Sequence, residues 1–149
     1  MIKHALEQGV SASYVLMDSW FTFAPLIQAI REQGLDVIGM VKNSNPRYLV
    51  NKRLLSVKAL YQAAGPLVGQ KGMLRTIQTY MIPNIQVKVV FVRHRTKKNE
   101  WLAILRTDCS FSEKKLFVFT VLAEILRHFS NVLPCSAYKK NFKAVPMIY

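Results

Sequence analysis

Apolar residues run unbroken from Tyr14 to Met17 and stop at Asp18. Nothing polar alternates within Tyr14-Val15-Leu16-Met17, so the pattern predicts a central strand covered on both faces. Ahead of it, Ile2 to Gln8 reads as the end of a helix with Gly9 as its stop. Beyond it, Phe23, Leu26, Ile27 and Ile30 make one apolar stripe on a helix over Phe23 to Gln33. Thr22 is a candidate cap for that helix, Pro25 fits its first turn, and Gly34 ends it. Val37-Ile38-Gly39-Met40-Val41 is the next apolar strand. A strand–helix–strand unit with short joins predicts a right-handed crossover and a parallel pair.

The pattern changes after the turn cluster Asn43-Ser44-Asn45-Pro46. Tyr48, Leu49 and Val50 suit a short strand, with Asn51-Lys52 as a turn. Ser56 is placed to cap a short helix, Val57 to Ala64, closed by Gly65-Pro66. Three strands are then predicted, over Met73 to Met81, Val87 to Arg95 and Trp101 to Arg106, with turns at Pro83-Asn84 and Thr96-Lys97-Lys98-Asn99. Residues 43–108 thus read as a small, mostly antiparallel sheet. Trp101, Tyr48 and Tyr61 read as packing residues. The chain has no internal repeat and no low-complexity segment.

Composition sharpens this picture. A chain of 149 residues supports one domain, or a fragment of a larger one, and 51% apolar content can fill a core. The net charge of +13 points to a polyanion, nucleic acid first, although membrane-surface proteins are basic too. Two cysteines, Cys109 and Cys135, make neither a disulfide framework nor a paired metal spacing, and a reducing cytoplasm is the simpler setting. The start has no signal-peptide apolar region. The longest apolar run, Leu116 to Ala123, is too short to span a bilayer, so no membrane partner is expected.

The basic residues fall into two groups. Arg93, Arg95, Lys97 and Lys98 share one predicted hairpin, with His94 among them; Lys42, Arg47, Lys52 and Arg53 form the second group. Such side chains on phosphates would give salt-sensitive, sequence-independent DNA binding. A solvated hairpin face explains the first group equally well. His94 suits that polar face better than a metal.

Asp18 is the candidate for chemistry. In open α/β sheets, sites form outside the carboxyl ends of strands, and an Asp followed by Ser-Trp-Phe and then a helix is placed like a metal ligand. An Asp that merely precedes the next helix is the plainer reading, since position in a fold is weak grounds for a site. Three segments carry a resemblance that bears on this choice. They are Tyr14-Val15-Leu16-Met17-Asp18-Ser19-Trp20-Phe21, Val37-Ile38-Gly39-Met40-Val41-Lys42, and Trp101-Leu102-Ala103-Ile104-Leu105-Arg106-Thr107-Asp108. Together they resemble the DDE transposases of bacterial insertion sequences, in the branch named after insertion sequence four. The resemblance covers roughly residues 1–113. It implies an RNase-H-like core with a β-rich insertion, and two divalent metals (Mg²⁺) held by Asp, Asp and Glu. The implied activity is cutting and joining DNA by in-line phosphoryl transfer. Asp18 matches the second catalytic Asp, as both catalytic residue and metal ligand.

The tail departs from the family. Where the family has a helix signed Tyr-x-x-Arg-x-x-x-Glu, this chain reads Phe117-Val118-Phe119-Thr120-Val121-Leu122-Ala123-Glu124-Ile125, and Glu124 does not match the third ligand. Codons begun at the third base of the present ones offer an explanation. Val118 to Val121 can then encode Ile-Tyr-Gly, and Glu124 to Asn131 can encode Asp-Ile-Glu-Thr-Phe-Phe-Lys. Tyr138 to Tyr149 can encode Gln-Lys-Glu-Phe-Gln-Gly-Arg-Ser-Tyr-Asp-Leu. These strings resemble the family's catalytic helix and its continuation. An out-of-frame tail from about Lys115 is therefore expected, Glu113-Lys114-Lys115 permitting a slippery adenine run. A divergent apolar helix over Leu116 to Leu133 is the alternative.

The sequence thus leads to an α/β chain with an incomplete RNase-H-like core and a mostly antiparallel β-rich insertion. Its divisions are 1–42 (partial core), 43–110 (insertion) and 111–149 (out-of-frame tail). The expected function is that of a catalytically inactive transposase fragment, because one carboxylate cannot hold two ions roughly 3.5–4 Å apart. A small basic nucleic-acid-binding protein without catalysis is the alternative.

Overall fold

A computed structural model describes residues 2–9, 13–17, 19–42, 48–66, 72–94 and 97–109. The proposed tail, including Glu124 and the Leu116 to Leu133 alternative, lies outside them, as do Asp18, Arg47 and Arg95. The chain is mixed α/β. Helix α1 (Ile2–Glu7) precedes β1 (Tyr14–Met17), α2 (Ala24–Glu32) and β2 (Asp36–Val41). Strands β3 (Tyr48–Val50) and β4 (Arg53–Leu55), helix α3 (Val57–Ala63) and the two-residue β5 (Gly65–Pro66) follow. Three longer strands close the described part, β6 (Met73–Met81), β7 (Ile85–Arg93) and β8 (Trp101–Arg106).

All eight strands belong to one open sheet in the order β1-β2-β8-β7-β6-β3-β4, with β5 on β6. Among the described strands only β1 and β2 run parallel, Tyr14 opposite Asp36 and Met17 opposite Gly39. The strand–helix–strand pattern made that pair readable. The antiparallel partner of β2 is β8, which matches Val41 with Ala103 and Ile38 with Arg106. Sheet pairing therefore runs without a break from β1 to β4. Among the described residues β1 pairs with β2 alone. It is nonetheless buried, as its unbroken apolar run requires: Val15 faces one layer of the core and Leu16 the other.

The larger layer packs α2 and α3 on the sheet. Ile27 and Ile30 of α2 meet Val15, Val37 and Leu105, and Val57 and Leu60 of α3 join Val87, Val89 and Phe91. Tyr61 of α3 stacks on Trp101 with ring centroids 4.8 Å apart, and Phe91 meets both edge-on, at 5.1 and 5.0 Å. Trp101 and Tyr61 are thus the packing residues expected, and so is Tyr48, fully buried, its hydroxyl without a hydrogen-bond partner among the described residues. Arg75 of β6 supplies what α3 lacks at its carboxyl end. Its guanidinium lies over Tyr61 and donates to the carbonyls of Tyr61, Gln62 and Ala64. At the other end of α3, Ser56 Oγ accepts from the Ala59 amide, as predicted.

Two local expectations are revised. Helix α2 is capped by Phe23 without a side-chain hydrogen bond, so Thr22 is not its cap. Thr22 is instead buried against Gly39 of β2; a Cβ added there would stand 2.5 Å from Thr22 Oγ1 and 2.9 Å from Cγ2. Close approach, not turn geometry, is why position 39 is glycine. Strand β7 starts two residues before the predicted Val87, because the turn at 82–84 is tight enough for Ile85 to pair with Met81 at once. The predicted Asn51-Lys52 turn is present, both residues having positive φ (48° and 64°), as a two-residue hairpin between β3 and β4 demands.

The seam between β2 and β8 is locked at the amino end of β2. Thr107 N donates to Val37 O at 3.0 Å. Its hydroxyl accepts from Val37 N at 2.9 Å and donates to Asp36 Oδ1 at 2.7 Å. Next to it, Tyr14 OH donates to Asp108 Oδ2 at 2.9 Å, tying β1 to the same segment. Burial first, then this bond and the Asp108 charge, push the Tyr14 pKa up from 10.0 to about 12.

Two outcomes follow. Gly39→Ala should lower unfolding free energy by about 1–3 kcal/mol, as overpacking does. Thr22→Ala in the same chain should recover part of that loss, giving a coupling of about 0.5–3 kcal/mol in a denaturant-melt cycle; strictly additive effects would rule out the contact. For Tyr14, the raised folded pKa gives stability that is complete below pH 10.0 and is lost as pH rises through about 12. Wild type should therefore lose more stability than Tyr14→Phe across that interval, and parallel losses would contradict the bond.

Candidate nucleic-acid interface

The carboxyl ends of β1 and β2 lie side by side because the pair is parallel and in register from Tyr14–Asp36 to Met17–Gly39. The chain leaves β1 through residues 19–23, and Thr22, seated on Gly39, draws that loop over β2. Asp18 lies outside the described residues; Met17 and Ser19 flank it in the chain. Trp20 follows, 72% exposed. Lys42, immediately after β2, sets its Nζ 3.6 Å from the Trp20 ring centroid. An ammonium over an indole face is an electrostatic attraction to the ring quadrupole, and it joins the two strand ends at the surface.

Register carries this end of the sheet further. Val41 stands opposite Ala103, Ala103 opposite Phe91, and Arg93 opposite Trp101. The carboxyl ends of β2 and β7 thus fall together, two strand spacings or roughly 10 Å apart. Lys42 and Arg93 are brought to the same end, and the turn after β7 adds Lys97 and Lys98, both exposed. Lys97 is partly neutralised by Glu100, with Nζ 3.1 Å from Oε1. His94 closes the turn: its Nδ1 accepts from the Lys97 amide at 3.2 Å, and its own amide donates to Glu100 O at 2.9 Å. This is the polar hairpin role that the sequence suggested for it.

Lys52 and Arg53 are not part of this end. They sit at the hairpin joining β3 to β4, at the far edge of the sheet, five strand spacings from β2. At about 4.8 Å each, that is roughly 24 Å. The second basic group of the sequence is therefore divided, with Lys42 at one place and Lys52 and Arg53 at another. Arg47 and Arg95 lie outside the described residues.

Four of the described carboxylates make contacts away from Lys42 and Trp20. Asp36 accepts from Thr107 and Asp108 from Tyr14, both at the amino ends of β1 and β2, opposite the end that Lys42 occupies. Glu100 pairs with Lys97, and Glu32 accepts from Gln28 at 3.4 Å along α2. Among the described residues no three His, Cys, Asp or Glu side chains stand together as a cation would need. The described donors do not fit a two-metal centre. Cys109 is half-buried, and burial pushes its thiol up, away from a reactive thiolate. Among the described residues no helix is long and apolar enough to cross a membrane.

Sequence reasoning passed over Trp20 and Thr107. Both lie in quoted motifs, yet motif position gives no exposure and no hydrogen-bond partner. The available signal for Trp20 was a large aromatic in a loop just past a strand's carboxyl end; for Thr107 it was a β-branched hydroxyl just beyond an apolar strand. Comparison with known proteins adds no further constraint: no family model matches the chain, and no curated protein does.

Proposed function

We propose that this chain is a DNA-binding piece of a transposase of the DDE type, with an RNase-H-like core, and that it does not cut DNA on its own. The observation that supports this reading is the Lys42–Trp20 contact at the carboxyl end of the parallel pair, the strand end that Asp18 follows in the chain, with Arg93 ending β7 two strands away at the same end of the sheet. That is where α/β sheets build their sites. Phosphates are the natural partners for a +13 chain whose Asp36, Asp108 and Glu100 are taken up by internal contacts. The same internal use of Asp36 and Asp108 favours the second reading, a small basic nucleic-acid-binding protein with no catalytic history.

In the first reading, Asp18 is a remnant ligand for Mg²⁺, and the tail from about Lys115 is an out-of-frame reading of the family's catalytic helix. Sequencing the gene through Glu113-Lys114-Lys115 tests the second point. An adenine run with a family-like second frame supports transposase descent, and its absence supports the plain binder.

Binding itself is tested by titrating duplex DNA over a salt series. Log affinity should fall linearly with log salt. Lys42→Gln and Arg93→Gln should each reduce the slope by about one, while Lys52→Gln changes it less. A slope indifferent to Lys42 and Arg93 would overturn the assignment of this sheet end. Incubation with duplex DNA and Mg²⁺ or Mn²⁺ should give no nicking, and Asp18-dependent nicking would refute the inactive reading.

A further inference from the structure

Trp20 is the most exposed of the large apolar side chains described, at 72%, and it stands against Lys42 at the carboxyl end of the parallel pair. On the order of 150 Å² of aromatic surface is left in water there. The other Trp of the chain shows the contrast. Trp101 is half-buried and stacked on Tyr61 at 4.8 Å. Trp20 has no described ring partner of that kind; its contact is the Lys42 ammonium, 3.6 Å from the centroid. One face of the indole therefore lies under a cation, and the ring remains largely open to a planar partner. Phe23, three residues on, adds a second exposed ring at 47%.

Neither a packing role nor a core role accounts for an indole held in this way. A duplex alone does not use it either, because paired bases offer their π-faces to one another. An unpaired base does. Single-strand binding combines a cationic track for the phosphates with aromatic rings on which bases stack. The Lys42–Trp20 pair contains both parts within one contact, and Arg93 ends β7 at the same end of the sheet, two strand spacings or roughly 10 Å from β2, adding a second cation there.

We propose that Trp20 is a stacking platform for an unpaired nucleobase of single-stranded DNA, with Lys42 and Arg93 holding the flanking phosphates. This rests on the DNA-binding reading above and deepens it, by assigning the strand end to unpaired rather than paired DNA. Stacking needs no particular base, so the platform is sequence-tolerant. Its occupant is any exposed single strand, as at a frayed or melted end.

Tryptophan emission reads the contact directly, because the chain has two Trp residues and only one of them is the platform. Oligothymidylate should quench the emission of the full chain. Trp101→Phe should retain the quench, whereas Trp20→Leu should abolish it and weaken oligothymidylate binding on the order of tenfold. Trp20→Phe should keep most of the affinity, and Lys42→Gln should lower the salt slope while leaving quenching at saturation. Duplex affinity should change little in Trp20→Leu. Equal single-strand binding by Trp20→Leu and wild type, or a quench that survives in Trp20→Leu, would overturn the platform. So would a Trp20→Leu change confined to sedimentation, which would make the ring a protein contact, or tighter binding of an RNA of the same sequence. Absence of both duplex and single-strand binding would instead bring down the DNA reading itself, so the two failures are distinguishable.

Discussion

The Thr107 hydroxyl joins two strands that lie 70 residues apart in the chain. It accepts from the Val37 amide and donates to Asp36, while the Thr107 amide donates to Val37 O. Three hydrogen bonds thus meet at one residue, where β8 ends and β2 begins. Without this hydroxyl, the Val37 amide would lose its partner in a buried position, which is costly. From that point the two strands pair residue by residue to Val41 and Ala103. The parallel unit and the antiparallel strands are thereby placed in one frame.

That frame decides which charges act together. Lys42 leaves β2 and Arg93 ends β7, and only the β2–β8–β7 register puts them at the same end of the sheet. The same register puts Lys52 and Arg53 at the far edge. Two further basic side chains are already engaged: Arg75 caps α3, and Lys97, in the turn after β7, faces Glu100. A net charge of +13 is therefore not spread as an even field. The acids follow a similar logic. Asp36 and Asp108 sit at the opposite end of the parallel pair and serve as acceptors for hydroxyls.

Much of the local structure was readable because local signals were strong. Met73–Met81 and Trp101–Arg106 are strands at the very residues that β-branched and aromatic content indicated, and Ser56 caps α3 as its position suggested. The parallel pairing of β1 with β2 followed from a short strand–helix–strand unit. What could not be read was whatever depended on residues distant in the chain. The choice of β8 as partner for β2 is one such feature, since apolar strands of similar composition compete for that edge. The role of Thr22 is another: a Thr just before a helix looks like a cap, and only the bare Cα of Gly39 beneath it diverts it into packing. At the basic end, charge clustering along the chain was visible, but clustering in space required the register. For Trp20, the sequence shows an aromatic two residues after Asp18 but not that its ring stands in solvent.

The β2–β8 seam makes one cooperative sheet, and so a single basic end built from residues on either side of it. Native-state hydrogen exchange is the sharpest test of that unity. Amides of β2 and β8 should open with the same free energy as those of β6 and β7, as one unfolding unit. β1 and β2 amides that exchange through a separate, lower-energy opening, while β6, β7 and β8 stay protected, would show two units instead.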